Sequence, residues 1–148
     1  MVELIIPNEV FFSHIMEEIN AGNSVIIPSK GNSMLPFIQP VKDVIELSPL
    51  TENSIQKGNI VLAKTEENGY VVHRIERVES DKIILRGDAN INIRETCHKE
   101  SVFAEVTGIY RGVKRITKSN LTWKLAKNVW FSSPLLRRIY LGIGRRIK

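Results

Sequence analysis

A single cysteine, Cys97, stands in the 148-residue chain, so no intramolecular disulfide can staple it. That scarcity suits a reducing compartment and leaves stability to a hydrophobic core. Long apolar runs are also missing: none approaches the roughly 18 to 20 residues that a membrane-spanning helix needs. The first residues, Met1 to Ile6, are acidic rather than basic, unlike the leading region of a signal peptide. Neither a signal peptide nor a transmembrane anchor is therefore expected, and the expected location is cytoplasmic or peripheral to a membrane. His98 beside Cys97 lacks the paired ligands of a metal site, and we expect no metal and no cofactor. No internal repeat or low-complexity tract is present.

Acidic side chains are absent from Arg111 onward. Residues 1–110 hold all 16 acidic and 10 of the 21 basic side chains, a net of −6, whereas the remainder carries +11. An acidic body with a basic tail points to an anionic partner for the tail, or to a basic helix resting on the acidic body itself. The length and the 43% hydrophobic content fit one domain with a real core.

Periodicity supplies the elements. Val10, Phe11, Ile15 and Ile19, with Glu17 and Glu18 between them, predict one amphipathic helix from Asn8 to Ala21, capped by Asn8 and ended by Gly22. His14 inside it reads as structural. The β-branched run Ser24 to Pro28 predicts a strand, and Val41 to Leu47 alternates as a second. Ile60 to Ala63, Tyr70 to Val78 and Lys82 to Leu85 follow, joined by Glu67-Asn68-Gly69 and Glu79-Ser80-Asp81. Turns this short predict hairpins, hence an antiparallel sheet. Val102 to Ile116 supplies closing strands, with bends at Gly108 and Gly112.

After Ser119 the period becomes helical. Leu121, Leu125 and Val129 form a stripe flanked by Trp123 and Trp130, with Lys124 and Lys127 on a narrower polar sector. Ser133-Pro134 opens a second segment in which Leu135, Ile139, Ile143 and Ile147 align and Arg137, Arg138, Arg145 and Arg146 lie off the stripe. The expected organisation is a β domain with an N-terminal helix over residues 1–118 and a basic amphipathic helical tail over 119–148.

The chemistry concentrates at Gly31-Asn32-Ser33-Met34-Leu35-Pro36, where an apolar strand gives way to a constrained turn carrying one hydroxyl. A serine is a poor nucleophile unless a base lies within hydrogen-bond reach and a third group orients that base. Val72-His73-Arg74-Ile75 offers the base, and Gly87-Asp88-Ala89-Asn90 the acid. The pairing of the Tyr70-to-Val78 strand with the arm that ends at Gly87 can bring His73 and Asp88 to one edge.

With Lys57-Gly58-Asn59-Ile60-Val61 between them, these blocks stand in an order that resembles the signal-peptidase-like serine peptidases of the S24/S26 group. The likeness spans roughly residues 24–110. It implies a mostly β (α+β), signal-peptidase/LexA-like antiparallel fold and an endopeptidase cleaving a peptide or preprotein, itself included. Because histidine occupies the base position, the chain resembles the histidine-type members of the endoplasmic reticulum and archaea rather than the lysine type.

The resemblance implies Ser33 as nucleophile, His73 as general base and Asp88 as the acid orienting it. Backbone N–H groups around Ser33 would hold the oxyanion, and because Gly31 stands where some relatives place a helping hydroxyl, Asn32 or Ser29 is left as the side-chain donor. Arg74 reads as a flanking residue. The chain departs from the pattern where relatives carry a second aspartate after the Gly-Asp block: Asn92, Ile93 and Arg94 stand there, and Glu95 is the nearest acid.

Two other readings stay open: a catalytically degenerate module that binds a peptide or partner, and a repressor-like peptidase associated with nucleic acid. Against the latter, no helix-turn-helix segment precedes the peptidase-like part. For the tail, the basic residues Lys124, Lys127, Arg137, Arg138, Arg145 and Arg146, together with two tryptophans in an apolar setting, favour an anionic membrane surface over nucleic acid.

Overall fold

The β-branched and aliphatic residues between positions 25 and 117 form one curled antiparallel sheet, preceded by one helix and followed by another. The computed structural model describes residues 9–29, 33–40, 42–67, 69–90 and 92–130. Helix α1 (Glu9–Asn20) leads into β1 (Val25–Pro28), β2 (Asp43–Ser48), β3 (Ile60–Thr65), β4 (Gly69–Glu79) and β5 (Lys82–Arg86). Next come β6 (Glu95–His98), a 3-10 turn (Lys99–Ser101), β7 (Val102–Arg111) and β8 (Lys114–Thr117). Helix α2 (Leu121–Leu125) continues as a π-helical turn (Ala126–Trp130). The sheet runs β1-β2-β7-β3-β4-β5-β6, with β8 on β7.

The expected hairpins β3–β4 and β4–β5 are present. The closing stretch divides at Gly112, whose φ of 65° belongs to the left-handed region that a tight turn requires. Strand β7 is long enough to pair with β3 over its first half and with β2 and β8 over its second. Strand β6 was not anticipated, because Glu-Thr-Cys-His has neither an apolar run nor a clear alternation. It forms because β5 offers it a ladder, Lys82↔His98 to Leu85↔Glu95. The turn after β3 meets its other side, where the Glu66 N–H donates to the Thr96 carbonyl and the Thr96 N–H donates to the Glu67 carboxylate.

The period of two sorts the core onto the two faces of the sheet. Leu62 and Val72 join Ile27, Ile45, Leu47, Met34, Phe37 and the α1 residues Ile15 and Ile19 on one side. Their chain neighbours Val61 and Val71 join Ala63, Ile75, Ile83, Leu85, Cys97 and Val102 on the other. Helix α1 is fixed further by Phe12, stacked on Tyr70 at 4.4 Å between centroids, while His14 is exposed.

Helix α2 corrects one expectation. The stripe assigned to it points outward, with Leu121 70% and Leu125 49% exposed, and Trp123 turns inward to full burial. The indole meets Phe37 edge to face at 5.0 Å. Its ring removes more apolar area from water than either leucine would, so one tryptophan decides the rotation of a five-residue helix. Trp123 is thus a core residue and not part of a lipid-facing surface. The segment 131–148, with Arg137, Arg138, Arg145 and Arg146, lies outside the described residues. Among the described residues no helix is long and apolar enough to cross a membrane.

Trp123→Ala is expected to destabilise the fold by roughly 3–5 kcal/mol, the range for emptying a buried aromatic site, read as a fall in the denaturant midpoint. Burial, with Glu66 and Glu67 adding to it, pushes the Cys97 thiol up to about 11. The reactive thiolate is therefore scarce at neutral pH. Native protein should react slowly with a thiol reagent, and denatured protein at once.

Candidate active site

Ser33 opens the turn that follows β1. Its flanks are buried: Met34, Phe37 and Ile38 all face the core, and the Ile38 N–H closes the turn on the Met34 carbonyl at 3.0 Å. The Leu35–Pro36 peptide bond is cis. Downstream, the turn is held by Arg111, which donates to the Phe37 carbonyl at 2.9 Å and to both carboxylate oxygens of Asp43 at 2.8 Å. Asp43 in turn accepts the Gln39 N–H. Upstream, the Ala89 N–H donates to the Ser33 carbonyl at 2.8 Å. That bond needs glycine at position 87, where a Cβ would collide with the Ser33 carbonyl oxygen. The Gly87-Asp88-Ala89 segment is therefore the seat of the Ser33 backbone.

His73 stands in the middle of β4, opposite Val61 on β3 and between Val71 and Ile75 on its own strand. Its side chain is 1% exposed. The two ring nitrogens are both engaged: Nε2 lies 2.9 Å from Ser33 Oγ, and Nδ1 meets Glu95 Oε1. An ionised carboxylate can only accept, so Nδ1–H donates to Glu95. Nε2 is then left as the acceptor of the Ser33 hydroxyl proton. This is the tautomer that a general base for a serine requires.

The acid facing His73 is thus Glu95, and the orienting role expected of Asp88 is corrected accordingly. The reason is strand parity. Ile75, Leu85 and Glu95 stand in line across β4, β5 and β6, and His73, two residues before Ile75, shares their face. Arg74 pairs with Arg86, and Asp88 lies two residues beyond Arg86, on the face of Arg74.

There Asp88 accepts two parallel bonds, from Arg74 Nε at 2.8 Å and from Nη2 at 2.7 Å, with both side chains 0% exposed. Arg74 also donates to the Gly58 carbonyl at 2.8 Å and lies 5.5 Å from the centre of the Phe37 ring. It is a central support of the site rather than the flanking residue expected. An arginine within the apolar first half of β4, between His73 and Ile75, was the available signal for a buried partner.

Among the remaining expected residues, Asn32 lies outside those described. Lys124 is exposed on α2. Lys127 is half-buried and lays its aliphatic stem against Gly58, whose φ of 94° and missing Cβ leave the space.

The two acids should separate by readout. Asp88→Ala leaves a buried guanidinium without its partner, and a loss of roughly 3–5 kcal/mol of stability is expected by chemical denaturation. Glu95→Gln keeps the shape but removes the charge that holds the His73 tautomer. Its expected consequence is loss of Ser33 reactivity with a much smaller change in stability.

A scan against protein-family models and a search of curated protein sequences returned no match to this chain. The reading of the site therefore rests on its geometry and on the order of its sequence blocks.

Proposed function

We propose that the chain is a serine endopeptidase of the signal-peptidase-like S24/S26 kind, with Ser33 as nucleophile, His73 as general base and Glu95 as the acid that orients it. The observation that carries this reading is the continuous line from the Ser33 hydroxyl through both nitrogens of a buried imidazole to a buried carboxylate. Each member is fixed by a strand or by a turn pinned at both ends. Such prior ordering is what removes the entropic part of the barrier.

In the reaction, Ser33 Oγ attacks a peptide carbonyl as its proton passes to His73 Nε2, and the Glu95 carboxylate stabilises the imidazolium. The tetrahedral oxyanion would be held by backbone N–H groups at Ser33, with Asn32 the candidate side-chain donor. His73 then returns the proton to the leaving amine, an acyl-enzyme remains on Ser33, and water releases it by the same steps. Strand β1 is an edge of the sheet order and leads toward the Ser33 turn, which favours an extended peptide or preprotein segment added along it.

A fluorophosphonate probe tests the reading. Labelling of wild-type protein at Ser33, abolished in Ser33→Ala and in His73→Ala, is expected. Absence of labelling together with intact peptide binding would make the chain a binding module of the same fold.

The basic tail is assigned to an anionic membrane surface. Exposed Leu121 and Leu125, with Lys124 beside them, extend that character into the described part of the chain. Sedimentation with anionic vesicles should be strong at low salt and weaker at high salt. Replacing Arg137, Arg138, Arg145 and Arg146 by glutamine should abolish it. No binding at low salt would end that assignment.

A further inference from the structure

Glu95 reaches His73 from a precarious position. It is the first residue of β6, a four-residue strand, and the segment before it, 92–94, has no regular structure and exposes Ile93. The ladder to β5 begins at Glu95 itself, opposite Leu85, so the entry of the chain through residues 92–94 lies outside it. Something must fix that entry if a carboxylate is to stay on one ring nitrogen.

The anchor comes from an irregularity in β4. Its pairing with β5 steps from Ile75↔Leu85 directly to Arg77↔Ile84, so Glu76 is the extra residue of a β-bulge. A bulge re-aims the side chain it inserts. The Glu76 carboxylate is turned toward the residue next to Glu95: Arg94 donates to it twice, from Nε at 2.5 Å and from Nη2 at 2.9 Å. Arg86, the last residue of β5, lies 3.0 Å from the same carboxylate through Nη1. Glu76 therefore ties together the end of the strand that leads to Asp88 and the start of the strand that carries Glu95.

Partial burial alone would raise the Glu76 carboxyl, yet Arg94, Arg86 and Arg77 together hold it below the usual carboxylate range.

We propose that Glu76 is a positioning residue for the serine-histidine site, and that its bulge and its clasp on Arg94 hold Glu95 against His73 Nδ1. The inference rests on the peptidase reading for its consequence in turnover, but the clasp itself has a signature independent of turnover. A carboxylate-bound Nδ1–H of a buried histidine gives a far-downfield proton resonance in solution NMR, assignable through its loss in His73→Ala.

In Glu76→Gln and in Arg94→Gln that resonance should broaden or move upfield while the amide spectrum stays folded. Ser33 labelling should slow on the order of tenfold to a hundredfold, as for a misplaced catalytic group. Arg94→Lys, which keeps the charge but not the forked geometry, should fall between wild type and Arg94→Gln. Adding Glu76→Gln to Glu95→Gln should slow labelling no further than Glu95→Gln alone, since both act through one carboxylate.

Arg94 is partly exposed, so Arg94→Gln serves as the folded variant should Glu76→Gln not fold. An unchanged resonance in Arg94→Gln, or losses that multiply in the double variant, would overturn the clasp. If wild-type protein shows the resonance and its dependence on Glu76 but no Ser33 labelling, the clasp stands and the peptidase reading fails.

Discussion

The fully buried pair of Arg74 and Asp88 is the interaction on which the site's architecture turns. Removing a guanidinium and a carboxylate from water costs several kcal/mol for each ion, so the pair is a poor source of net stability. Its two parallel bonds instead select one geometry, since a planar fork meets a carboxylate edge in only one way. Through that geometry the sheet dictates where the segment after β5 lies. That segment, by way of the Ala89 N–H and the bare Cα of Gly87, dictates where Ser33 lies. Phe37 closes the arrangement from the other side, with its ring against both the guanidinium and Trp123.

The two acids of the region do different work because the sheet separates them. Asp88, on the face of Arg74, is neutralised by a permanent cation and acts on backbone placement. Glu95, on the opposite face, meets an imidazole whose charge appears only when it takes a proton. Among Val61, Val71 and Ile75, that charge is attracted by Glu95 far more strongly than it would be in water. In the proposed mechanism, negative charge thus stands where positive charge would develop.

Much of this was legible before the fold was seen. Two short turns fixed the hairpins, the alternation of β-branched residues gave the strands, and a hydroxyl between a strand and a proline marked Ser33 as the candidate nucleophile. Glu95, Arg74 and Trp123 were read less well, each for a physical reason. Glu95 depends on a ladder three strands wide and on a bulge at Glu76, and neither leaves a local pattern. Asp88 and Glu95 are equally acidic in sequence, and only the parity of the register tells them apart. Trp123 lies two residues from both Leu121 and Leu125 and so faces away from them on a helix, and the sequence alone leaves open which of the two faces is buried. The contact of the indole with Phe37, visible only in three dimensions, decides which way the helix turns.

Strand β6 carries Glu95 and Cys97 two residues apart, both inward and both almost fully buried. Its hold on the rest of the sheet is a four-residue ladder on one side and a hairpin tip on the other. Short peripheral strands of this kind open with lower free energy than the body of a sheet and close again without global unfolding. One such fluctuation uncovers the thiol and withdraws the acid from the imidazole together. The exchange rate of Cys97 is therefore a clock for the departures of Glu95, and it counts the intervals in which Ser33 and His73 stand intact but unassisted.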